Sequence, residues 1–299
     1  MENQQHIISP EPLSKQFFKD YLLLSKFRLS TTVVGTTLIC YFLGIQKTGI
    51  SVSWSVVFGL TLGGMLVTAA ANGFNQIWEK DLDKMMSRTQ QRPLANGRMS
   101  VNDALVFSCV CAALGLFLLA YAVNARCALL SLLSLFTYTL AYTPLKKETP
   151  MAVFVGAIPG ALPPTIGWVA VTGNLDFIAY LLFAVQFFWQ FPHFWAIAWV
   201  LEDDYRKAGY TLLPSYEGRT KRNAMQTVWY SGMLILVSIY PLTLGDFSSL
   251  YGLILIVPAG GYLLFRAIKL YQDMTIESAK KLMYASLFYM PLVLISYFF

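Results

Sequence analysis

A run of some twenty apolar residues with scarcely a charge recurs along most of this chain, and that recurrence limits what it can fold into. The runs fall near 29–46, 54–77, 102–123, 126–142, 152–172, 177–200, 224–244, 248–268 and 279–299. A helix needs about 20 apolar residues to cross a bilayer's hydrocarbon core, so nine crossings use about 180 residues. The chain has 299 residues, which leaves room for loops and a tail. Only 13% of its residues are charged, against roughly 25% in soluble domains. A soluble globule, a disordered chain, a disulfide scaffold and a collagen-like rod are all excluded. The expectation is an all-α integral membrane protein. Nine transmembrane helices form one bundle over 29–299, after a polar tail at 1–28.

Charge tests the count. If the runs alternate across a membrane, 20 of the 22 Lys and Arg residues lie on the side of the N-terminal tail, and only Lys47 and Arg126 lie opposite. Cytoplasmic loops carry the excess of Lys and Arg, so the tail and its side are expected to be cytoplasmic. The same bias accounts for the net charge of +6 without any nucleic-acid partner. The opening residues hold no apolar stretch with a cleavage site, so no removable signal peptide is expected. Cys40, Cys109, Cys111 and Cys127 sit in apolar runs with no CxxC pair and read as small packing residues.

Two cytoplasmic loops, 78–101 between spans two and three and 201–223 between six and seven, are longer than a connection requires. Long loops are where function concentrates. At the start of the first, Asn75, Glu79 and Asp83 stand at i, i+4 and i+8. Each step of four turns a helix by only about 40°, so the three share a face. Like charges at that spacing oppose each other by about 0.2–0.5 kcal/mol, and a cation between them reverses the penalty. An all-oxygen set favours Mg²⁺, Ca²⁺ or Mn²⁺. A solvated helix end of mixed charge is the plain alternative. Arg88, Arg92 and Arg98 follow, in the chemistry of a metal–phosphate site or as ordinary positive-inside charges.

The second loop opens with Glu202-Asp203-Asp204-Tyr205-Arg206-Lys207. Three acids there oppose the positive bias of that side, and the two acidic clusters together can hold two Mg²⁺ over a diphosphate. The span before it contains Trp189-Gln190-Phe-Pro192-His193-Phe-Trp195. An ionisable group inside a span is a functional hypothesis by default. Interhelical hydrogen bonding for Gln190 and His193, and packing for the tryptophans, are the alternatives. Gly156, Gly160, Pro159, Pro163 and Pro164 interrupt the fifth run, and a packing role is expected for them.

Several blocks then carry a resemblance. They are Asn75-xxx-Glu79-xxx-Asp83; Arg88-Thr-xx-Arg92-Pro93-Leu; Tyr142-Thr-Pro144-Leu-Lys146; Gly156 through Trp168; Trp189-Gln190-x-Pro192-His193-Phe194-Trp195; and Asp204-Tyr205-xx-Ala208-Gly209-xxxx-Leu213-Pro214. The set resembles the UbiA-type membrane prenyltransferase superfamily and, within it, the branch that farnesylates haem. Glu79 stands where aspartate is common in that family. Lys147-Glu148 stands where a more basic run is usual.

The resemblance implies a bundle enclosing a central chamber in a bacterial plasma membrane, with the active-site loops cytoplasmic. It implies that farnesyl diphosphate and haem B give haem O and diphosphate, with Mg²⁺ as cofactor. Asn75, Glu79, Asp83 and Asp204 would be catalytic, with Glu79, Asp83, Asp203 and Asp204 on the metal. Arg88, Arg92, Lys146 and Arg206 would hold diphosphate. His193, Gln190, Trp189 and Trp195 would line the haem and prenyl chamber. Membrane lipid is an implied partner, as is a downstream haem A synthase or oxidase assembly. A prenyltransferase with a quinone-type or chlorophyll-type acceptor shares the diphosphate half-site. A transporter predicts charges near the bilayer midplane, which the spans lack apart from His193. An assembly subunit leaves the acid–arginine clusters unexplained.

Overall fold

The computed structural model describes residues 13–247 and 249–299. Residues 1–12 of the expected tail lie outside the described residues. Among those described the chain is all helix. Helix α1 is Leu13–Leu24, α2 Phe27–Thr48, α3 Trp54–Asp83, α4 Val101–Ala122 and α5 Ala125–Leu145. Then come α6 Ala152–Thr172, α7 Phe177–Lys207, α8 Lys221–Ile239, α9 Leu250–Asp273 and α10 Ile276–Ser296. Seven of these, α2 to α7 and α9, are long and apolar enough to cross a membrane. Helix α8 starts Lys221-Arg222-Asn223, and α10 carries Glu277, Lys280 and Lys281 in its first two turns.

The described part of the tail, 13–28, packs on the bundle. Leu24 of α1 is fully buried, Tyr21 packs its ring on Phe107 at 5.0 Å, and Arg98 Nε donates to Asp20 at 3.0 Å. Two helices also outrun their apolar runs. Helix α3 continues to Asp83 and α7 to Lys207, because Glu, Lys and Arg are good helix formers whatever their polarity. The acids of both clusters therefore sit on rigid helix ends, and the connecting segments shorten to 84–100 and 208–220.

Packing divides the bundle in two. Helices α2 to α6 close on themselves, with α2 against α6 and α3 against α4. Helices α7 to α10 form a second group, joined to the first where α6 packs on α7. Small residues allow the close approaches. A Cβ on Gly167 would lie 2.0 Å from the Thr37 carbonyl oxygen, so α2 and α6 touch backbone to backbone there. Pro163 removes the N–H that would serve the Pro159 carbonyl, since helical bonds run from i to i−4. The Ser134 hydroxyl donates to that carbonyl instead, at 3.2 Å.

Candidate active site

The site is built at the end of the bundle where segments 84–100, 146–151 and 208–220 meet. Asn75, Glu79 and Asp83 are all buried on one face of α3, as their spacing requires. Each meets a partner from elsewhere in the chain. Lys146 Nζ donates to Glu79 Oε1 at 2.7 Å. Arg92 Nη1 donates to both oxygens of Asp83, at 2.8 and 2.7 Å, and lies 3.9 Å from Glu79 Oε2. Asn75 Nδ2 donates to Thr143 Oγ1 at 3.2 Å, and its Oδ1 accepts from Lys26 Nζ at 3.4 Å. Two carboxylates and three cations thus occupy one buried pocket.

Local sequence explains the placing of Lys146. A π-helical turn at Thr137–Tyr142 precedes Pro144, whose ring cannot continue an ordinary helical ladder. Thr143 Oγ1 donates back to the Tyr138 carbonyl at 2.9 Å. Gly156 makes room for the Tyr142 ring, which a Cβ there would approach to 2.6 Å. Lys146 Nζ lies over that ring at 4.6 Å. Burial alone would strip the charge from Lys146, but Glu79 beside it holds the ammonium above its ordinary pKa.

Lys26 and Tyr210 belong to the pocket, although sequence reasoning counted Lys26 only as a tail charge and passed over Tyr210. Lys26 lies between α1 and α2 with φ 47°, in the left-handed region, and is half-buried. Burial, then the charges of Arg92 and Lys146, lower its pKa from 10.5 to about 7. Tyr210 is 3% exposed, with Lys146 Nζ 5.9 Å from its ring centroid. Burial, followed by the Glu79 charge, pushes its phenol well up, so it stays protonated. A lysine one residue before an apolar run was the available signal for Lys26. Nothing local marked Tyr210.

The second acidic cluster is arranged differently. Consecutive helical residues point about 100° apart, so its three acids diverge. Glu202 is buried, with Oε1 accepting from Arg206 Nε at 2.6 Å and Oε2 without a partner. Asp203, expected at the metal, is 74% exposed in its side chain and taken by both Arg219 amino groups at 3.1 and 2.9 Å. Asp204 accepts from the backbone N–H groups of Ser87 and Arg88, at 2.9 and 3.4 Å, and from Lys207 Nζ at 3.2 Å. It ties α7 to the segment that carries Arg92. The Arg88 side chain is exposed, and Arg206 is spent on Glu202. Among the described residues no three His, Cys, Asp and Glu side chains cluster closely enough to hold a metal ion. The pocket's oxygen donors, Asn75, Glu79 and Asp83, are of the kind that suits a hard cation such as Mg²⁺.

The α7 residues also separate. Gln190 Nε2 donates to the Ala157 carbonyl on α6 at 2.8 Å, in space left by Gly160. His193 instead faces α10. Its Nδ1 lies 2.9 Å from Ser286 Oγ, and that hydroxyl donates to the Met283 carbonyl at 2.7 Å. Nδ1 is thus engaged by the Ser286 hydroxyl. Trp189 stacks on the imidazole at 4.6 Å and donates to the Ser286 carbonyl at 2.6 Å. Trp195 is fully buried among Phe154, Phe191 and Tyr230.

Below the pocket the walls turn apolar. A cavity of about 50 Å³ lies between α2, α3, α5 and α6, lined by Val34, Thr37, Val67, Thr68, Ser131 and Pro163 among others. Thr68 is eleven residues from Glu79, or about 16 Å along the helix at 1.5 Å per residue. The charged pocket thus stands over an apolar interior on the same helices.

An acid–cation pocket at one end of an apolar helical bundle is the arrangement of a membrane enzyme that handles a charged head on an apolar tail. The chain belongs to the UbiA prenyltransferase family, whose model matches residues 33–292. It is 43% identical to the protoheme IX farnesyltransferase of Flavobacterium psychrophilum, over 97% of each chain. It is 34% identical to the human mitochondrial protoheme IX farnesyltransferase, over 91% of this chain and 60% of that one. The fold is similar to a digeranylgeranylglyceryl phosphate synthase, with TM-score 0.77 and 20% identity, covering 95% of this chain and 98% of that one. It is also similar to a UbiA homologue from Archaeoglobus fulgidus bound to GPP and Mg²⁺, with TM-score 0.62 and 17% identity over 93% and 99%.

Proposed function

We propose that this prenyltransferase moves a farnesyl group from farnesyl diphosphate to a vinyl group of haem B, giving haem O and diphosphate. The observation that carries the reading is the buried pocket of Asn75, Glu79, Asp83, Lys26, Arg92 and Lys146 above an apolar interior. The reading draws also on the close similarity to protoheme IX farnesyltransferases.

In the reaction the allylic C–O bond of farnesyl diphosphate breaks and its electron pair leaves with the diphosphate. The vinyl group attacks the farnesyl cation, water adds, and a proton is lost. Asn75, Glu79 and Asp83, with Asp204 from α7, would hold magnesium, which would supply positive charge for the leaving group. Lys146 and Arg92 exchange their carboxylate partners for phosphate oxygens. Lys26 adds a third cation, its proton held more firmly once an anion is bound. Arg88 and Arg206 reach the same rim from the surface. The apolar interior excludes water from the cation, and aromatic faces stabilise it. On the acceptor side His193, held through Nδ1, would offer Nε2 to haem with Trp189 stacked on its ring, while Gln190 and Trp195 line other walls of the chamber. All nine long helices, α8 and α10 included, cross a bacterial plasma membrane with the basic end cytoplasmic.

Membranes containing the protein, given haem B, farnesyl diphosphate and Mg²⁺, should form a product with the mass of haem O. Diphosphate release without that product would overturn the choice of acceptor. Cysteine labelling should find Ser14 and Phe299, each replaced by cysteine, on opposite faces. Labelling of both from one face would make the number of crossings even.

A further inference from the structure

Tyr210 brings into the pocket a buried hydroxyl whose hydrogen-bonding capacity is unspent. The side chain is 3% exposed, and its hydroxyl lies beside the Glu79 carboxylate without making a well-formed hydrogen bond. A buried hydroxyl left unmade costs about 1–3 kcal/mol, so native structures rarely keep one without a use.

Its position follows from how α7 ends. Gly209 adopts φ 73°, a left-handed conformation that glycine takes at little cost. The Gly209 N–H bonds the Arg206 carbonyl at 3.0 Å, and the Tyr210 N–H bonds the Tyr205 carbonyl at 3.0 Å. These two bonds are a Schellman cap, which commonly brings the residue after the glycine back onto the last turn. The Tyr205 and Tyr210 rings meet at 6.2 Å, a contact that frequently accompanies such a cap. The reversal carries the Tyr210 ring inward to the ammonium of Lys146, the partner of Glu79.

We propose that the Tyr210 hydroxyl donates a hydrogen bond to the diphosphate of the prenyl donor and strengthens it as charge builds on the departing oxygen. No proton is transferred; the phenol stays protonated throughout. The proposal rests on the diphosphate site assigned above. It adds a donor from the 208–220 segment to those of α3 and its partners. A donor aimed at developing charge acts mainly on turnover, because its bond is stronger in the transition state than in the ground state.

The test is Tyr210→Phe, which keeps the ring and its packing and removes only the hydroxyl. Turnover of haem B with farnesyl diphosphate and Mg²⁺ should fall about 10- to 100-fold, as for one hydrogen bond to a charged group. KM for farnesyl diphosphate should rise by less than the fall in kcat. Inorganic diphosphate with Mg²⁺ should bind the variant more weakly than the parent, at an unchanged melting temperature in detergent. A variant within twofold of the parent in all of these overturns the proposal. So does a variant whose Mg²⁺ requirement rises at unchanged diphosphate affinity, since the hydroxyl would then be orienting Glu79. If Tyr210→Phe unfolds, Tyr210→Trp, whose ring N–H also donates, should retain more turnover than Tyr210→Leu; equal rates for the two would again overturn it. Failure of the parent itself to form haem O, with diphosphate still bound, would count against the acceptor and leave the Tyr210 contact measurable by binding.

Discussion

The two acidic clusters read alike and fold differently. Each lies at the end of a long helix, on the same side of the bundle, with arginine or lysine close behind. On α3 the acids are spaced by four, lie on one face, and are buried against cations from distant segments. On α7 they are consecutive and point three ways. One goes inward to Arg206, one outward to Arg219, and one to the backbone of the neighbouring segment. Spacing on a helix decides whether several carboxylates can act together. Burial decides whether their charges are worth much: exposed pairs contribute about 0–1 kcal/mol, while breaking a buried one costs about 3–5 kcal/mol.

The difference can be pressed hardest at the metal. Excess EDTA should abolish haem O formation, and added Mg²⁺ should restore it. Full activity in EDTA would remove the reason for the α3 cluster. Asp83→Asn should then lower turnover by about 100-fold or more, the scale of several kcal/mol of transition-state stabilisation. Asp203→Asn should stay within about threefold, its pair with Arg219 being exposed. Equal losses at both positions would make the clusters equivalent.

A smaller effect should appear at Lys26, which the α3 pocket alone possesses. Its folded pKa of about 7 lies below its ordinary 10.5. Between those values the unfolded chain holds the proton and the folded chain does not, so Lys26 makes stability rise with pH across that window. Lys26→Met should raise the melting temperature at pH 7, with the gain vanishing above about pH 10.5. Diphosphate favours the charged amine. Affinity for diphosphate should therefore fall with pH above 7 more steeply in the parent than in Lys26→Met. Parallel profiles would place Lys26 outside the site.

The smallest expected change is on the α7 side. Gly209→Ala meets no atom within 4 Å of the new Cβ. Its cost is the left-handed backbone alone, about 1–2 kcal/mol. Thermal unfolding should show that loss, with a decline in turnover traced to a displaced Tyr210. No loss of stability would mean that the cap re-forms without glycine.

What the sequence determined by itself was everything that repeats locally. Apolar runs of about 20 residues require helices in a membrane, and the structure has a long helix at each. The i, i+4, i+8 spacing put Asn75, Glu79 and Asp83 on one face before any fold was known. Tertiary structure alone decided which charges meet. Glu79 and Lys146 are 67 residues apart, and Asn75 and Lys26 are 49 apart. Gln190 and His193 look like neighbours on one helix, yet they bond to different helices. Asp203 and Asp204 are adjacent, but one is exposed and the other joins two segments. Helical period and hydropathy are properties of a few neighbouring residues. Burial and pairing depend on how whole helices pack, and a turn such as Gly209 can bring a residue like Tyr210 into a site that its own sequence does not mark.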